Sequence, residues 1–167
     1  RFMKRSIVLY MHIHQPFRIR HYTAFDIGGD HNYFFGDYDH RTNNERIMHK
    51  VAEKSYLRTN NHLLRMLREH SDFKLSLSIS GVALEQMELW APNVLVSFKE
   101  LVATGKVEIV GETYHHSLAF FHDKDEFEQQ VSLHRDAIRK HFNQEPSVFR
   151  NTELAHNNDL AWWADKE

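Results

Sequence analysis

Hydrophobic and polar positions follow two rhythms that take turns along the chain. Four short apolar runs, at residues 6–12, 74–80, 106–112 and 147–153, have the composition of buried strands. Residues 74–80 (KLSLSIS) keep a strict period of two, with Leu75, Leu77 and Ile79 on one face and serines on the other. Pro16 closes the first run, since proline has no N–H for a ladder, and Pro146 ends the connection into the fourth. Between the runs the period lengthens to that of a helix. Helices are predicted over about residues 44–70, broken once, and over 82–90 and 92–104. Pro92 suits a first helical turn and Gly105 a C-terminal cap. Asp123, with Glu126 three residues on, makes a capping-box pattern. Phe127, Val131, Ile138 and Phe142 mark the buried stripe of the helix that follows, and residues 157–159 open another.

Strands alternating with helices imply βαβ units and a parallel sheet, so the fold class is α/β. Right-handed crossovers bring the C-terminal end of every strand to one side, and barrels of such units keep their sites there. His12, His14, Ser80, Gly81, Glu112, His115, His116 and Glu153 are therefore expected on one rim. Residues 18–42 form a long loop rich in aromatics, with Gly28, Gly29 and Gly36 and four aspartates. A loop of that length in a compact domain usually goes with function. No repeat or linker divides the 167 residues, which suffice for one domain with a sizeable core.

Composition changes this picture in a few places. There are 14 histidines, several times the ordinary share, and 13% of residues are aromatic. Histidines in such number suggest ligands, proton shuttles or contacts to a polar substrate. A net charge of -2 gives no broad basic surface, which argues against nucleic acid as a partner. The absence of cysteine removes disulfides and thiolate chemistry. No apolar stretch approaches the roughly 20 residues a membrane span needs. The first run leads straight into His12-Ile13-His14-Gln15-Pro16, with no small-residue cleavage site, and a cytoplasmic location fits. Met3-Lys4-Arg5 reads as a natural start, with Arg1 and Phe2 ahead of it.

His12 and His14 lie two apart on a strand and so share a face. Such a pair can bind a metal, hold sugar hydroxyls through its donor and acceptor nitrogens, or sit in a hydrogen-bonded core. Glu112 and Glu153 each end a predicted strand. On neighbouring strands their backbones would lie about 4.8 Å apart. Two carboxylates are what glycosidic cleavage requires, one as nucleophile or base and one as acid. The plainer alternative is that one of them pairs with a cation such as Arg150. Tyr10, Trp90, Phe120, Phe121, Trp162 and Trp163 could stack on sugar rings, although aromatics in these positions more often fill a core. The chain has no Walker loop, no dinucleotide fingerprint and no nucleophile elbow.

Four strand-end motifs then occur in a telling order: HIHQP, SISGVALEQ, GETYHHS and FRNTEL. In that order, with the loop segment FDIGGDHNYFF, they resemble glycoside hydrolase family 57, and its α-amylase-type members in particular. The resemblance covers essentially the whole chain. It implies an incomplete seven-stranded (β/α) barrel, of which residues 1–167 would be the N-terminal portion with about four β/α units. It implies action on α-glucans or maltooligosaccharides with retention of configuration, by hydrolysis or by transfer, with no cofactor and no metal. Glu153 in FRNTEL matches the nucleophile, with Arg150 beside it. His14 in HQP matches a substrate-binding histidine, flanked by His12 and Gln15. Glu112 and His116, with His115 between them, lie in GETYHHS, which matches the family's own second motif, near the substrate. The general acid implied by the resemblance is an aspartate on a later strand, beyond Glu167, so this chain alone is expected to turn over poorly. His156 stands where an apolar or aromatic residue would be more typical.

Two other readings remain open on the sequence. One is a metal-dependent carbohydrate deacetylase or amidohydrolase, using His12, His14, His115 and His116 as ligands and Glu112 or Glu153 as base. The other is a glucan-binding protein without catalysis.

Overall fold

The computed structural model describes residues 6–166, so the start read at Met3 lies outside it. Three parallel strands, β1 (Tyr10–Ile13), β2 (Leu75–Ile79) and β3 (Val107–Ile109), form a sheet in the order β1-β2-β3. His12 stands opposite Ser78, Ile13 opposite Ile79, and Leu77 opposite Ile109. The alternation read in residues 74–80 decides what each face does. Ile13, Leu75, Leu77, Ile79, Val107 and Ile109 are buried in the main core with Met48, Leu67, Leu84, Met87, Phe98, Leu101 and Ile138. The opposite parity places Tyr10, His12 and His14 beside Ser76, Ser78 and Ser80, and the small serines leave room for the rings.

Helices α1 (Asn44–Val51) and α2 (Leu57–Glu69) are joined by a turn of π-helix at Ala52–Tyr56, which is the break read in this segment. Then come α3 (Gly81–Trp90), α4 (Pro92–Ala103), α5 (Lys124–Phe142) and α6 (Asn158–Ala164). Pro92 opens α4, and Gly105 follows it at φ 71°. Asp123 caps α5 by accepting from the Asp125 and Glu126 N–H groups. Glu126, however, accepts from Gln130 Nε2 at 2.7 Å, so only the Asp123 half of the expected capping box forms. No helix among the described residues is long and apolar enough to cross a membrane.

The fourth run behaves differently from its reading. Among the described residues it contributes a single parallel bridge, Gly111 to Phe149, made by the Gly111 N–H to the Val148 carbonyl at 2.7 Å and the Arg150 N–H to the Gly111 carbonyl at 2.9 Å. Pro146 withholds a donor at one end. At the other end the chain leaves the ladder, with the Leu154 N–H donating to the Asn151 carbonyl at 3.2 Å in a 3₁₀ turn over Thr152–Leu154. The fold is thus α/β with a small three-stranded parallel sheet.

The long loop is tied down by its own polar groups. Buried Asp37 accepts from the His21 N–H at 2.8 Å and from Thr42 Oγ1 at 2.5 Å. Buried Asn44 donates to the carbonyls of Arg18 and Phe34.

Gly81, the first residue of α3, is a tight point of the fold. A Cβ there would lie 2.2 Å from Cδ2 of Tyr114. The Tyr114 ring cannot easily yield, because its hydroxyl donates to Glu85 Oε1 at 2.5 Å and its carbonyl accepts from the Val82 N–H at 3.3 Å. Gly81→Ala is expected to cost about 1–3 kcal/mol of stability through overpacking. A thermal melt reads this, and an unchanged midpoint would show that the ring moves freely.

Candidate active site

The polar face of the sheet converges on one carboxylate. Glu112 lies three residues past β3, and its side chain is only 3% exposed. Its Oε2 is 3.2 Å from His12 Nε2 and 3.2 Å from His116 Nδ1, while its Oε1 is buried with no hydrogen-bond partner. The other nitrogen of His116 reaches Glu153: Nε2 lies 3.2 Å from Oε1. One imidazole therefore bridges the two glutamates. His14 completes the group, its Nδ1 being 2.7 Å from the buried hydroxyl of Ser80. The ring of His116 sits 4.6 Å from that of His12 and 4.3 Å from that of His14, and the His12 and His14 rings are parallel at 6.0 Å.

Electrostatics assign the protons. Burial opposes ionisation of Glu112, but hydrogen bonds from His116 and His12 outweigh it and hold the carboxyl at about 2. The same hydrogen bond from Glu112, with help from Glu153 and against the pull of burial, raises His116. The upward shift favours the imidazolium, the form in which Nδ1–H faces Glu112 and Nε2–H faces Glu153. Burial first, and the charge on His116 second, push His14 down to about 4. A neutral His14, with Nδ1 taken by Ser80, presents its Nε2 edge to a ligand.

Backbone strain gathers at the same place. His116, Glu153 and Leu154 have φ of 56°, 54° and 58°, left-handed values that cost L-residues on the order of 1–3 kcal/mol each. The turn at Glu153 lifts its side chain out of the sheet, leaving it 75% exposed yet still in contact with His116.

The remaining predicted residues divide. The Arg150 guanidinium lies over the Tyr10 ring at 4.8 Å, on the polar face rather than against a carboxylate. Gln15 is engaged from three sides: its carbonyl accepts from Gln86 Nε2 at 2.6 Å, its side-chain N–H reaches the Tyr56 hydroxyl at 3.4 Å, and its Oε1 accepts from Arg18 at 3.5 Å. His115 does not join the group; it is exposed, and its ring packs edge-on against Tyr114. His156 is exposed as well.

Residues 8–167 match the family profile described as "Glycosyl hydrolase family 57". The chain belongs to that family. As a family 57 chain it is 40% identical over 150 residues to a protein of Methanocaldococcus jannaschii named "Putative alpha-amylase", covering 89% of this chain and 31% of that one. It is 28% identical over 111 residues to an alpha-amylase of Pyrococcus horikoshii, covering 65% of this chain and 17% of that one. Among solved structures, the 4-alpha-glucanotransferase of Thermococcus litoralis superposes with a TM-score of 0.63 at 20% identity, over 95% of this chain and 20% of that one. The alpha-amylase AmyC of Thermotoga maritima superposes at 0.65 and 16% identity, over 98% and 38%. These likenesses carry the fold. The family 57 chain spans under two fifths of the length of each of these proteins.

One residue of the site escaped the sequence reading. His134 is 1% exposed on α5, donating Nε2–H to the Ile79 carbonyl at 2.9 Å and facing the Glu112 N–H with Nδ1 at 3.5 Å. It clips the end of β2 to the backbone that carries Glu112. Its signal was its spacing, since it falls within the stripe Phe127, Val131, His134, Ile138 and Phe142 on a buried helix face.

Proposed function

We propose that this chain forms the nucleophile-bearing portion of a retaining glycoside hydrolase of the α-amylase or 4-α-glucanotransferase type, acting on α-glucans. The observation that carries the reading is the His116 bridge between buried Glu112 and exposed Glu153. Glu153 is the nucleophile. One of its oxygens is held by His116 and the other is free to attack an anomeric carbon. The C1–O bond to the leaving sugar breaks as the C1–O bond to Glu153 forms, through an oxocarbenium-like transition state. Water then releases the sugar in hydrolysis, or another sugar hydroxyl does so in transfer. Glu112 stays ionised and keeps His116 protonated and aimed. Neutral His14, with His12 beside it, addresses sugar hydroxyls. Gln15 and Arg150 border the site through Tyr56 and Tyr10. His115, exposed on Tyr114, would reach only a more distant part of the glucan. The acid that protonates the leaving oxygen is an aspartate on a later strand of an incomplete (β/α)7 barrel, to which residues 1–167 contribute the first units. The names and lengths of the relatives support this placement.

The test uses a substrate whose leaving group needs no proton. A maltosyl fluoride carrying a second fluorine on the reacting sugar should load one glycosyl group onto the peptide that contains Glu153, read by mass spectrometry. Labelling of Glu112 instead, or an inverted product, would overturn the assignment. The metal-dependent deacetylase reading takes His12, His14, His115 and His116 as ligands; of these, His12 and His116 stand with Glu112 so that their ligating atoms lie within 4.8 Å of one another. Chelation that abolishes activity on an acetylated sugar, with α-glucans untouched, would favour it.

A further inference from the structure

The unpartnered Oε1 of Glu112 is the one feature of the site that the glycosidase reading leaves without a use. An ionised carboxyl offers two oxygens and about four acceptor positions. Glu112 spends one oxygen on two imidazoles and buries the other unsatisfied. The two imidazole contacts are also long, at 3.2 Å each, where charge-assisted N–H to carboxylate bonds run about 2.7–2.9 Å. Ligand atoms at tetrahedral angles around a metal, with bonds of about 2.0–2.2 Å, stand roughly 3.3–3.6 Å apart. His12 Nε2 and His116 Nδ1 each stand 3.2 Å from Glu112 Oε2, near that spacing, and the three residues offer ligating atoms within 4.8 Å of one another.

We propose that His12 Nε2, His116 Nδ1 and the Glu112 carboxylate form a three-ligand site for a divalent transition metal of the zinc class, with a fourth position left for solvent or a ligand. Two imidazoles and one carboxylate suit zinc, cobalt or nickel better than calcium or magnesium, which prefer all-oxygen shells. The surroundings have the outer shell such sites need. A metal-bound histidine as a rule donates its other N–H to a carboxylate or carbonyl, which fixes its tautomer. His116 already directs Nε2 to Glu153 Oε1. His134 braces the Glu112 backbone from behind. Both imidazoles reach solvent, at 23% and 11% side-chain exposure, so an ion has an entry path. Metal and proton are alternative occupants of His116 Nδ1, and in either state Nε2–H still orients Glu153. The inference concerns ligation alone and does not depend on the glycosidase reading.

The chelator-treated protein is titrated with Co²⁺, followed by visible absorption, and with Zn²⁺, followed by equilibrium dialysis. A single equivalent should bind, with the intense absorption of low-coordinate cobalt. Glu112→Gln should weaken binding by more than about 100-fold, and Glu153→Gln, which loosens the hydrogen bond orienting His116, by about 10–100-fold. His40→Ala, whose ring is exposed beside Asp39, should leave binding unchanged. Binding that none of the site substitutions alters would overturn the site. Should Glu112→Gln fail to fold, ¹⁵N spectra of the unaltered protein's imidazoles take its place. Zn²⁺ must move His12 and His116 first, and shifts confined to exposed histidines would refute the proposal.

Discussion

Glu153→Gln lowers turnover of α-glucan substrates by on the order of 10⁴-fold while leaving their binding nearly intact, in the protein that carries these residues. The amide keeps the size of the side chain and an oxygen for the His116 Nε2–H, so the turn and its left-handed backbone persist. What disappears is the negative oxygen that bonds to the anomeric carbon. A 10⁴-fold loss corresponds to about 5.5 kcal/mol of transition-state stabilisation. Because the interaction is made only as the reaction proceeds, the loss falls on kcat, with KM little changed. In the truncated Glu153→Ala variant, added azide supplies a small anionic nucleophile to the space the carboxylate vacates. With a maltosyl fluoride as substrate it should restore turnover and give the β-glycosyl azide, the anomer opposite to the substrate. Steady-state kinetics and the configuration of that product are the measurements. Full activity in Glu153→Gln would remove Glu153 from the chemistry, and azide rescue of a Glu112 variant instead would transfer the role to Glu112.

The second large effect is on stability and depends on pH. Glu112 is depressed from the ordinary 4.5 to about 2, so it contributes stability that is full above 4.5 and fades as pH falls towards 2. The shift corresponds to about 3 kcal/mol at 1.36 kcal/mol per unit. His116 is raised above 6.5, so its contribution is full below 6.5 and fades as pH rises through its raised value. The pair therefore stabilises most between about pH 4.5 and 6.5. Glu112→Gln removes the principal cause of the His116 shift along with its own. Denaturant melts at pH 6 should show the variant about 3 kcal/mol less stable, and melts near pH 2 should show the gap closed. Two parallel pH–stability curves would mean that the buried carboxylate contributes nothing through its charge.

The geometry explains why a buried charge is kept at this position. Its removal would free His116, and with it the one hydrogen bond that holds an exposed glutamate in place. The pH dependence of stability, the hold on Glu153 and the proposed metal site all run through Glu112 Oε2 and the His116 ring.

Local pattern was enough for much of this. The period-two run at 74–80 set which residues of β2 enter the core, and the same parity on β1 put His12 and His14 together on the polar face. Pro92, Gly105 and Asp123 marked helix ends where the structure has them, because caps are chemistry of single residues. Convergence of the strand ends followed from parallel topology. Other features belonged to the tertiary structure alone. His115 and His116 are adjacent and alike in sequence, yet only His116, turned by its positive φ, enters the site. The fourth run reads as a strand by composition, but a strand exists only where a neighbour offers a ladder, and the chain turns away after Arg150. His134 reads as one more histidine until the packing of α5 against β2 gives its ring two backbone partners. Sequence thus determined which residues face inward and where elements stop, since those depend on side-chain period and on single-residue backbone preferences. Three-dimensional packing decided which carboxylate is buried, which histidine bridges and which proton is held, since those depend on distances between segments far apart in the chain.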